Sequence, residues 1–417
     1  MVLHILAVKE NLMSNRSRNF IARHALMFLA LVAFVTVPAF SRQSTASEVE
    51  ILNTFATNNI VATQQFAFAA AGSQGIVVVD LATLTIANVV SPPAGTGTID
   101  DLCLDGGLLF TLDGAGAGAL SVFSIANPAE PTLVSGPVGA AVGPFAGVSA
   151  SNGRVVVSGG TSLLSVRSYD DDGNLFGAVS SIDLGIGQPD VLVSDDGSTA
   201  YVSTDFAGLV NGQSFGITVI DISGIPTTVL DQIGIPGAGF SPGTSGPANF
   251  PIESALQGDV LFVAAGNGVS VIDVSNPASV QTITQIPLST NPVNIDVFDD
   301  TLYVVGNSPS STLTTIDISN LSSPVVETVV LPGNGSPLGV AATSTHVVVA
   351  DDDLGVLVDQ LFLLGDINRD GVVNLLDVEP FIALLSSSAF QAEADFNMDG
   401  QVNLLDIQPF VTLLGGG

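Results

Sequence analysis

Cysteine, tryptophan and tyrosine are scarce in this chain of 417 residues. The single cysteine, Cys103, excludes an internal disulfide framework and any metal site built from several cysteines. There is no tryptophan and there are only three tyrosines, which argues against a carbohydrate-processing cleft because sugars are usually held on aromatic platforms. Disulfide scaffolds and cysteine-rich metal sites therefore drop out of the candidate classes.

Basic residues are equally rare. The chain has 8 Lys and Arg against 39 Asp and Glu, for a net charge of -31. Beyond residue 24 the remaining basic residues are Arg42, Arg154, Arg167 and Arg369. A surface with this charge repels phosphate groups, so nucleic acids and anionic membranes are poor partners, whereas cations are attracted.

The first part of the chain has the composition of a targeting segment. Three arginines, the last of them Arg23, precede an apolar run over residues 25–40, and the small residues Ala39 and Ser41 follow a cleavage-site pattern. We predict a secretory signal peptide over residues 1–41 and a secreted protein, extracellular or at the cell surface, with no membrane span in the mature chain. The alternative is an uncleaved anchor helix.

An apolar run that ends in Asp or Ser recurs seven times in the middle of the chain, about 45 residues apart. Its last residues are Asp80, Ser124, Ser168, Asp221, Asp273, Asp317 and Asp359. A second apolar run precedes each copy, in most cases after a hairpin-turn pair such as Asn152-Gly153. A third and a fourth stretch flank these two, and four short strands per repeat of this length are typical of a propeller blade.

The two ends of the repeat region indicate how the ring closes. Residues 49–55 look like a fourth strand without a blade of its own, and the last repeat stops after its third strand near Asp359. The N-terminal strand is therefore expected to complete the seventh blade and cover its open edge. The repeated Val-Ile-Asp strand resembles the LVIVD-type propellers of secreted bacterial proteins, which implies a seven-bladed β-propeller over residues 48–360 and says little about activity.

Residues 366–377 and 395–406 carry the strongest chemical motif. Both segments place oxygen-bearing side chains at positions 1, 3, 5, 9 and 12 and glycine at position 6, as in an EF-hand calcium loop with Asp at position 12. Ligands that are all oxygen, in a large loop, favour Ca²⁺ over Mg²⁺, and we predict two ions. The first predicted ligand set is Asp366, Asn368, Asp370, the carbonyl of Val372, Asn374 and Asp377. The second is Asp395, Asn397, Asp399, the carbonyl of Gln401, Asn403 and Asp406.

An apolar helix is predicted after each loop, over residues 378–385 and 407–414, with Asp377 and Asp406 as caps. No full helix precedes either loop, so the module is a pair of loop–helix units. It resembles a type I dockerin over residues 365–417, which implies docking to a cohesin-like protein.

Family members often carry hydroxyl residues at loop positions 10 and 11 and a basic residue further along the helix. The partner-binding positions implied by the resemblance are here Leu375, Leu376, Ala383, Leu404, Leu405 and Thr412. None of them is basic or acidic, so the partner is expected to meet a more apolar face.

We therefore expect a mainly β protein: a seven-bladed β-propeller with a small α-helical, calcium-binding, dockerin-like C-terminal domain. The leading hypothesis is a secreted non-catalytic binding or scaffold protein that the dockerin-like module attaches to an extracellular or cell-surface assembly. One alternative is a polysaccharide-degrading enzyme, a glycoside hydrolase or lyase acting on a glycan and recruited by its dockerin. Another is a structural surface protein whose calcium loops only stabilise the end of the chain.

No catalytic residue is predicted. His346 and Cys103 are expected to be structural, and the repeated aspartates to stabilise turns. Acidic turns at residues 170–174 and 351–353 are expected to be solvated, with an extra cation site as the alternative. Two insertions, near residues 205–215 and 236–251, either form a binding surface or are plain loop variation.

Overall fold

The structure is a computed structural model, and it describes most of the chain after residue 42. The described residues are 43–44, 50–51, 56–113, 118–139, 147–159, 163–184, 190–236, 253–333, 335–344, 346–362, 365–368, 373–387, 391–396 and 402–414. The predicted signal peptide, residues 1–41, lies outside them. One compact unit spans Ser41–Phe362, and Leu363–Gly417 belong to a second.

The larger unit consists of antiparallel sheets whose four strands follow one another along the chain. Blade 1 contains β3 (Asn59–Ala62), β4 (Phe66–Ala70), β5 (Ile76–Asp80) and β6 (Thr85–Val90). Blade 2 contains β7 (Asp101–Asp105), β8 (Leu108–Asp113), β9 (Ala119–Ser124) and β10 (Thr132–Gly139). Blade 3 contains β11 (Val148–Ser151), β12 (Arg154–Val157), β13 (Leu163–Tyr169) and β14 (Leu175–Asp183).

The next three blades have the same order. Blade 4 contains β15 (Val191–Val193), β16 (Thr199–Val210), β17 (Gln213–Asp221) and β18 (Thr228–Gly234). Blade 5 contains β19 (Glu253–Gln257), β20 (Val260–Ala265), β21 (Gly268–Asp273) and β22 (Gln281–Pro287). Blade 6 contains β23 (Asn291–Phe298), β24 (Thr301–Ser308), β25 (Thr312–Asp317) and β26 (Val325–Val330).

Blade 7 is built from both ends of the repeat region. It contains β27 (Pro337–Ala342), β28 (His346–Asp351) and β29 (Gly355–Phe362), and β29 also pairs with β1 (Gln43–Ser44) and β2 (Glu50–Ile51). Gln43 lies opposite Phe362, and Glu50 lies opposite Val358. The prediction that an N-terminal strand completes the seventh blade is confirmed, although the pairing begins upstream of residue 48.

The blades are held together by apolar contacts between neighbouring sheets. Middle strands are buried on both faces, as in Ile76–Asp80, where four consecutive β-branched residues are buried. Seven clusters of buried side chains each combine residues from two successive blades. The cluster between blades 7 and 1 joins Val348 and Ala350 to Ile60 and Ala67, which closes the ring.

The turns and repeated aspartates have the expected local roles. Asn152 and Asp299 occupy hairpin turns with φ of 46° and 47°. Asp221 Oδ1 accepts hydrogen bonds from the Ser223 hydroxyl (2.6 Å) and N–H (2.9 Å), which hold the pKa of this carboxyl below its usual value. Asp80, Asp273 and Asp317 make equivalent turn contacts. Asp359 differs, because it is buried inside β29 opposite Val347.

The described residues of the smaller unit form the helices α1 (Val378–Ser387) and α2 (Ile407–Leu414) and the 3-10 helices Leu375–Asp377 and Ala392–Ala394. Its core is an aromatic trio. The ring centroid of Phe381 lies 4.5 Å from that of Phe410 and 5.9 Å from that of Phe396. Among the described residues, no helix has the length and apolar character that crossing a membrane requires.

Candidate functional site: the C-terminal loop–helix pair

The first loop is closed by its last residue. Asp377 is fully buried, and its two carboxylate oxygens accept hydrogen bonds from the N–H groups of Asn368 (3.0 Å) and Asn374 (2.8 Å). Asp366, at position 1, is buried as well. Asp370 and Val372 lie outside the described residues. Positions 3, 9 and 12 of the predicted ligand set are therefore tied to one another through the backbone.

The second loop repeats this arrangement. Asp406 is fully buried, and its carboxylate accepts from the N–H groups of Phe396 (2.8 Å) and Asn403 (2.8 Å), while Asp395 is buried at position 1. Asn397, Asp399 and Gln401 lie outside the described residues. Similar hydrogen bonds in both loops follow from their near-identical sequences.

Both helices begin at the predicted residues, Val378 and Ile407, and a 3-10 turn, Leu375–Asp377, precedes the first. Asn374 is the N-cap of the first 3-10 helix, because its Oδ1 accepts from the Leu376 N–H at 2.8 Å and Asp377 completes a capping box. Asn403 makes the same contact with the Leu405 N–H at 2.9 Å. Asp377 thus takes part in the cap as the N3 residue of the capping box, while the N-cap residue is Asn374. The carboxylates of Asp377 and Asp406 both reach back to backbone N–H groups of their loops.

The two halves also contact each other. The Gly365 N–H donates to the Glu393 carbonyl (2.7 Å), and the Gln391 side chain donates to the Ile367 carbonyl (2.8 Å). Gly365 has a φ of +98°, and a Cβ there would lie 2.5 Å from a methyl carbon of Leu413. This glycine is required where the chain enters the first loop against α2.

The donor set fits a hard divalent cation. The four buried aspartates are Asp366, Asp377, Asp395 and Asp406. No lysine, arginine or histidine lies among the described residues of this unit, and buried charges require compensation. Within the described part of the chain, no three acidic, His or Cys side chains lie together as a metal site would require. Each loop has two described aspartates. The third predicted aspartate of each loop, Asp370 or Asp399, lies outside the described part.

The residues expected to face a partner are exposed. Leu375 and Leu404 are each 77% exposed, and Leu376 and Leu405 are 67% and 66% exposed. Ala383 and Thr412 are exposed on α1 and α2. The sequence reading missed two more apolar side chains at equivalent positions of the two helices, Ile382 and Val411, which are 57% and 56% exposed. Six large apolar side chains of this small unit are therefore exposed to solvent.

The other sequence candidates occupy structural positions. His346 is buried at the start of β28, where its N–H donates to Thr343 Oγ1. Cys103 is half-buried against the cluster between blades 2 and 3, and burial raises the pKa of its thiol. Asp170 accepts hydrogen bonds from Asp172 and Asn174, as a turn residue does.

The first of the two predicted insertions lies within blade 4. Its residues lengthen the hairpin formed by the strands Thr199–Val210 and Gln213–Asp221. Most of the second, residues 237–252, lies outside the described residues.

A second candidate site, which the sequence reading missed, is a cavity of about 570 Å³ lined by the first strand of every blade. Its wall carries Asp101, Asp190, Glu253 and Asp296. The sequence does place acidic residues within or next to the short apolar first strands. It does not show which of these side chains face the axis of the ring, so the cavity could not be predicted.

Burial shifts the ionisation of these acidic groups. Desolvation raises the pKa of Asp101 and of Asp296 to about 6 and that of Asp190 to about 7, and it raises the pKa of Glu253. Asp101 accepts from the Asn59 amide and from the Val148 N–H (2.7 Å), and Asp296 accepts from the Ala342 N–H (2.7 Å). These contacts connect neighbouring blades.

Two family models match the chain. A model of the dockerin type I domain matches residues 364–409, and a model of the LVIVD repeat matches residues 254–285 and 294–331. The LVIVD matches coincide with blades 5 and 6. No curated protein sequence matches this chain.

Several solved structures share the propeller fold. A chain of the crystal structure of the mitotic checkpoint complex is 10% identical, with a TM-score of 0.55, over 79% of this chain and 95% of that chain. Virginiamycin B lyase from Staphylococcus aureus is 14% identical, with a TM-score of 0.52, over 76% and 99%. The Pan2 WD40 domain of Neurospora crassa is 12% identical, with a TM-score of 0.54, over 77% and 97%. At these identities the likeness concerns the fold alone.

Proposed function

Since residues 364–409 are a type I dockerin domain that follows LVIVD repeats in a seven-bladed propeller, we propose that the protein is a secreted, non-catalytic binding or scaffold protein. A dockerin implies attachment to an assembly through cohesin. In our proposal this attachment places the propeller in an extracellular or cell-surface assembly, and residues 1–41 direct export. The observation that carries the proposal is the repeated loop–helix geometry with its exposed leucine pairs.

Type I dockerin domains bind calcium. We propose two ions, one for each loop, with the ligand sets predicted from the sequence. The buried aspartates at positions 1 and 12, with no basic residue among the described residues of the unit, support this assignment. Calcium, when bound, supplies the positive charge that these carboxylates need.

The loops and helices have separate roles in this proposal. Asp377 and Asp406 hold each loop closed through backbone N–H groups, and the aromatic trio packs α1 against α2. One half then presents Leu375, Leu376 and Ile382, and the other presents Leu404, Leu405 and Val411. Without a cation, repulsion between the buried carboxylates loosens the loops, so docking depends on calcium.

The chemistry of these faces defines the partner surface. The exposed residues are aliphatic, so burial of apolar area is the main favourable contribution to binding. We propose a cohesin-like partner with an apolar contact surface. Binding is then expected to change little with ionic strength, because screening acts on charge pairs.

Calorimetric titration of calcium into the chelator-treated full-length chain tests the metal sites. We expect two ions for the natural sequence, one for Asp377→Ala or Asp406→Ala, and none for the double variant. Asp171→Ala, in an exposed propeller turn, is the matched control and should bind two. Full calcium occupancy in the double variant would refute the ligand assignment.

Capture by immobilised type I cohesin modules tests docking. We expect capture in calcium, release by chelator and little change in added salt. Replacing both leucine pairs by serine should abolish capture and leave calcium stoichiometry unchanged. Failure of the natural chain to bind any cohesin in the panel, or full binding by the serine variant, contradicts the proposed docking face.

A further inference from the structure

Two hydrogen bonds join the beginning of the first calcium-loop motif to the segment that leads into the second. The Gly365 N–H donates to the Glu393 carbonyl (2.7 Å), and the Gln391 side-chain amide donates to the Ile367 carbonyl (2.8 Å). Gly365 directly precedes Asp366, the first residue of the first loop, and Ile367 directly follows it. The two bonds therefore hold the backbone on both sides of a predicted calcium ligand.

The partners of these bonds lie directly before the second loop. The Gln391 carbonyl accepts from the Ala394 N–H (3.0 Å), which closes the 3-10 turn Ala392–Ala394, and Asp395, the first residue of the second loop, comes next. Ala394 is fully buried and belongs to the same apolar cluster as Ile367. One hydrogen-bonded turn thus separates Gln391 from a predicted ligand of the second ion.

The entry of the first loop is also enclosed by side chains of both halves. A Cβ on Gly365 would lie 2.5 Å from a methyl carbon of Leu413 in α2 and 2.9 Å from a methyl carbon of Val373 in the first loop. Interiors packed this closely transmit a displacement to their neighbours. A shift at the start of the first loop is therefore felt by the second half.

These contacts give the two loops a common path of ordering. Asp395, once it ligates calcium, fixes the turn that precedes it, and the groups of that turn then hold the backbone around Asp366. The first loop is ordered before its own ion arrives, so less conformational entropy is lost when that ion binds. We propose that the two calcium loops are coupled through Gln391 and the Gly365–Glu393 hydrogen bond. Calcium in either loop then raises the affinity of the other, because coupling between two sites is reciprocal. This inference rests on the calcium sites of the proposed function.

A thermodynamic cycle on the full-length chain measures the coupling. Calorimetric titration of calcium gives two association constants for the natural chain, and one each for Asp377→Ala and Asp406→Ala. The product of the first two constants divided by the product of the other two is the coupling factor, which is unity for independent loops. We expect a factor of at least about five.

Gln391→Met tests the path, since it keeps the length of the side chain and removes the amide that donates to Ile367. The same cycle in this background should give a coupling factor lower by at least about twofold. A merely structural role would weaken each loop equally in the presence and absence of the other ion, and would leave the factor unchanged. Gln408→Met is the matched control, because the Gln408 amide donates to Thr412 Oγ1 (3.3 Å) within α2. It should keep the factor of the natural chain.

The outcomes separate this inference from the proposed function. A coupling factor near unity, or an equal factor in Gln391→Met and the natural chain, overturns the inference and leaves both calcium sites assigned. Absence of calcium binding by the natural chain overturns the proposed function as well. Circular dichroism verifies that each variant folds. If a single-loop variant does not fold, the stepwise constants decide: the second ion should bind more tightly than two equal, independent sites allow, and this excess should shrink in Gln391→Met. An equal excess in both chains, or none, overturns the inference.

Discussion

Aspartate has three different roles in this chain, and the partner of the carboxylate decides which one applies. Asp221 lies at a turn, where the hydroxyl and N–H of Ser223 stabilise the ionised form. Asp377 is buried in a calcium-loop motif and fastens backbone N–H groups of its own loop. Asp101 lies in the axial cavity, where desolvation raises its pKa to about 6. Sequence motifs identify the first two roles, and the third depends on the closed ring.

Two glycines in the β4–β5 turn allow backbone strain and steric contact to be tested separately. Gly75 has a φ of +98°, and a Cβ there would lie 2.0 Å from the carbonyl oxygen of Val90. Gly72, in the same turn, has a φ of +53° with nothing within 4 Å of a Cβ. We expect Gly72→Ala to lower the free energy of unfolding by about 1 kcal/mol, from backbone strain alone. Gly75→Ala should cost about 3 kcal/mol or more, because the carbonyl of β6 must also move. Urea unfolding of both variants measures this difference, and equal losses would contradict the steric account.

At the scale of elements, β29 connects the two ends of the propeller. It is hydrogen-bonded to β28 on one side and to β1 and β2 on the other, so its edge is covered. Thr57 follows these N-terminal strands and is fully buried. Its hydroxyl donates to the carbonyl of Gly355 (2.9 Å), with the carbonyl of Asp351 3.2 Å away, and accepts from the Asp351 N–H (3.0 Å). One side chain thus attaches the N-terminal segment to the hairpin between β28 and β29.

Replacing this hydroxyl by a methyl group should loosen ring closure. Thr57→Val leaves the Asp351 N–H without its acceptor, and we expect a loss of about 1–3 kcal/mol in the free energy of unfolding. Hydrogen exchange at the paired residues Glu50 and Ile51 should accelerate. Thr282→Val, on the exposed strand β22, is the control and should change stability by less than about 0.5 kcal/mol. Exchange rates that are unchanged in Thr57→Val would show that closure does not depend on this contact.

At the scale of the whole molecule, the two units differ in size and in what stabilises them. The propeller distributes its apolar contacts over seven equivalent clusters between blades. The C-terminal unit has one small cluster around Phe381 and Phe410. So small a core contributes little stability by itself, which is why a structural metal matters there. The strong net charge of -31 makes both units responsive to cations and to pH.

The acidic cavity predicts an inverse dependence of propeller stability on pH. Burial raises the pKa of Asp101 and Asp296 to about 6 and that of Asp190 to about 7, so the folded state binds protons more tightly than the unfolded chain. This contribution is fully present below the usual carboxyl pKa, near 4, and is lost as the pH rises through about 6 to 7. The Tm of the main calorimetric transition, in saturating calcium, should fall over this window. Glu253→Gln removes one titrating group and should flatten the slope, and a Tm that rises with pH would contradict the account.

Much of this protein was determined by local sequence. Blade number follows from the sevenfold recurrence of the apolar strand that ends in Asp or Ser. The loop motif follows from residue types at fixed positions within 12 residues. Both patterns act over one hairpin or one turn, so local sequence is enough to show them. The closing strand was also predictable, since an unpaired strand at one end matched a missing strand at the other. Only the tertiary structure decided that Asp101, Asp190, Glu253 and Asp296 share one cavity, because closing the ring brings together strands that no local pattern connects. It likewise decided that Asn374 is the N-cap of the 3-10 helix before α1, with Asp377 at the N3 position of the capping box and its carboxylate also bound to the Asn368 N–H of the loop.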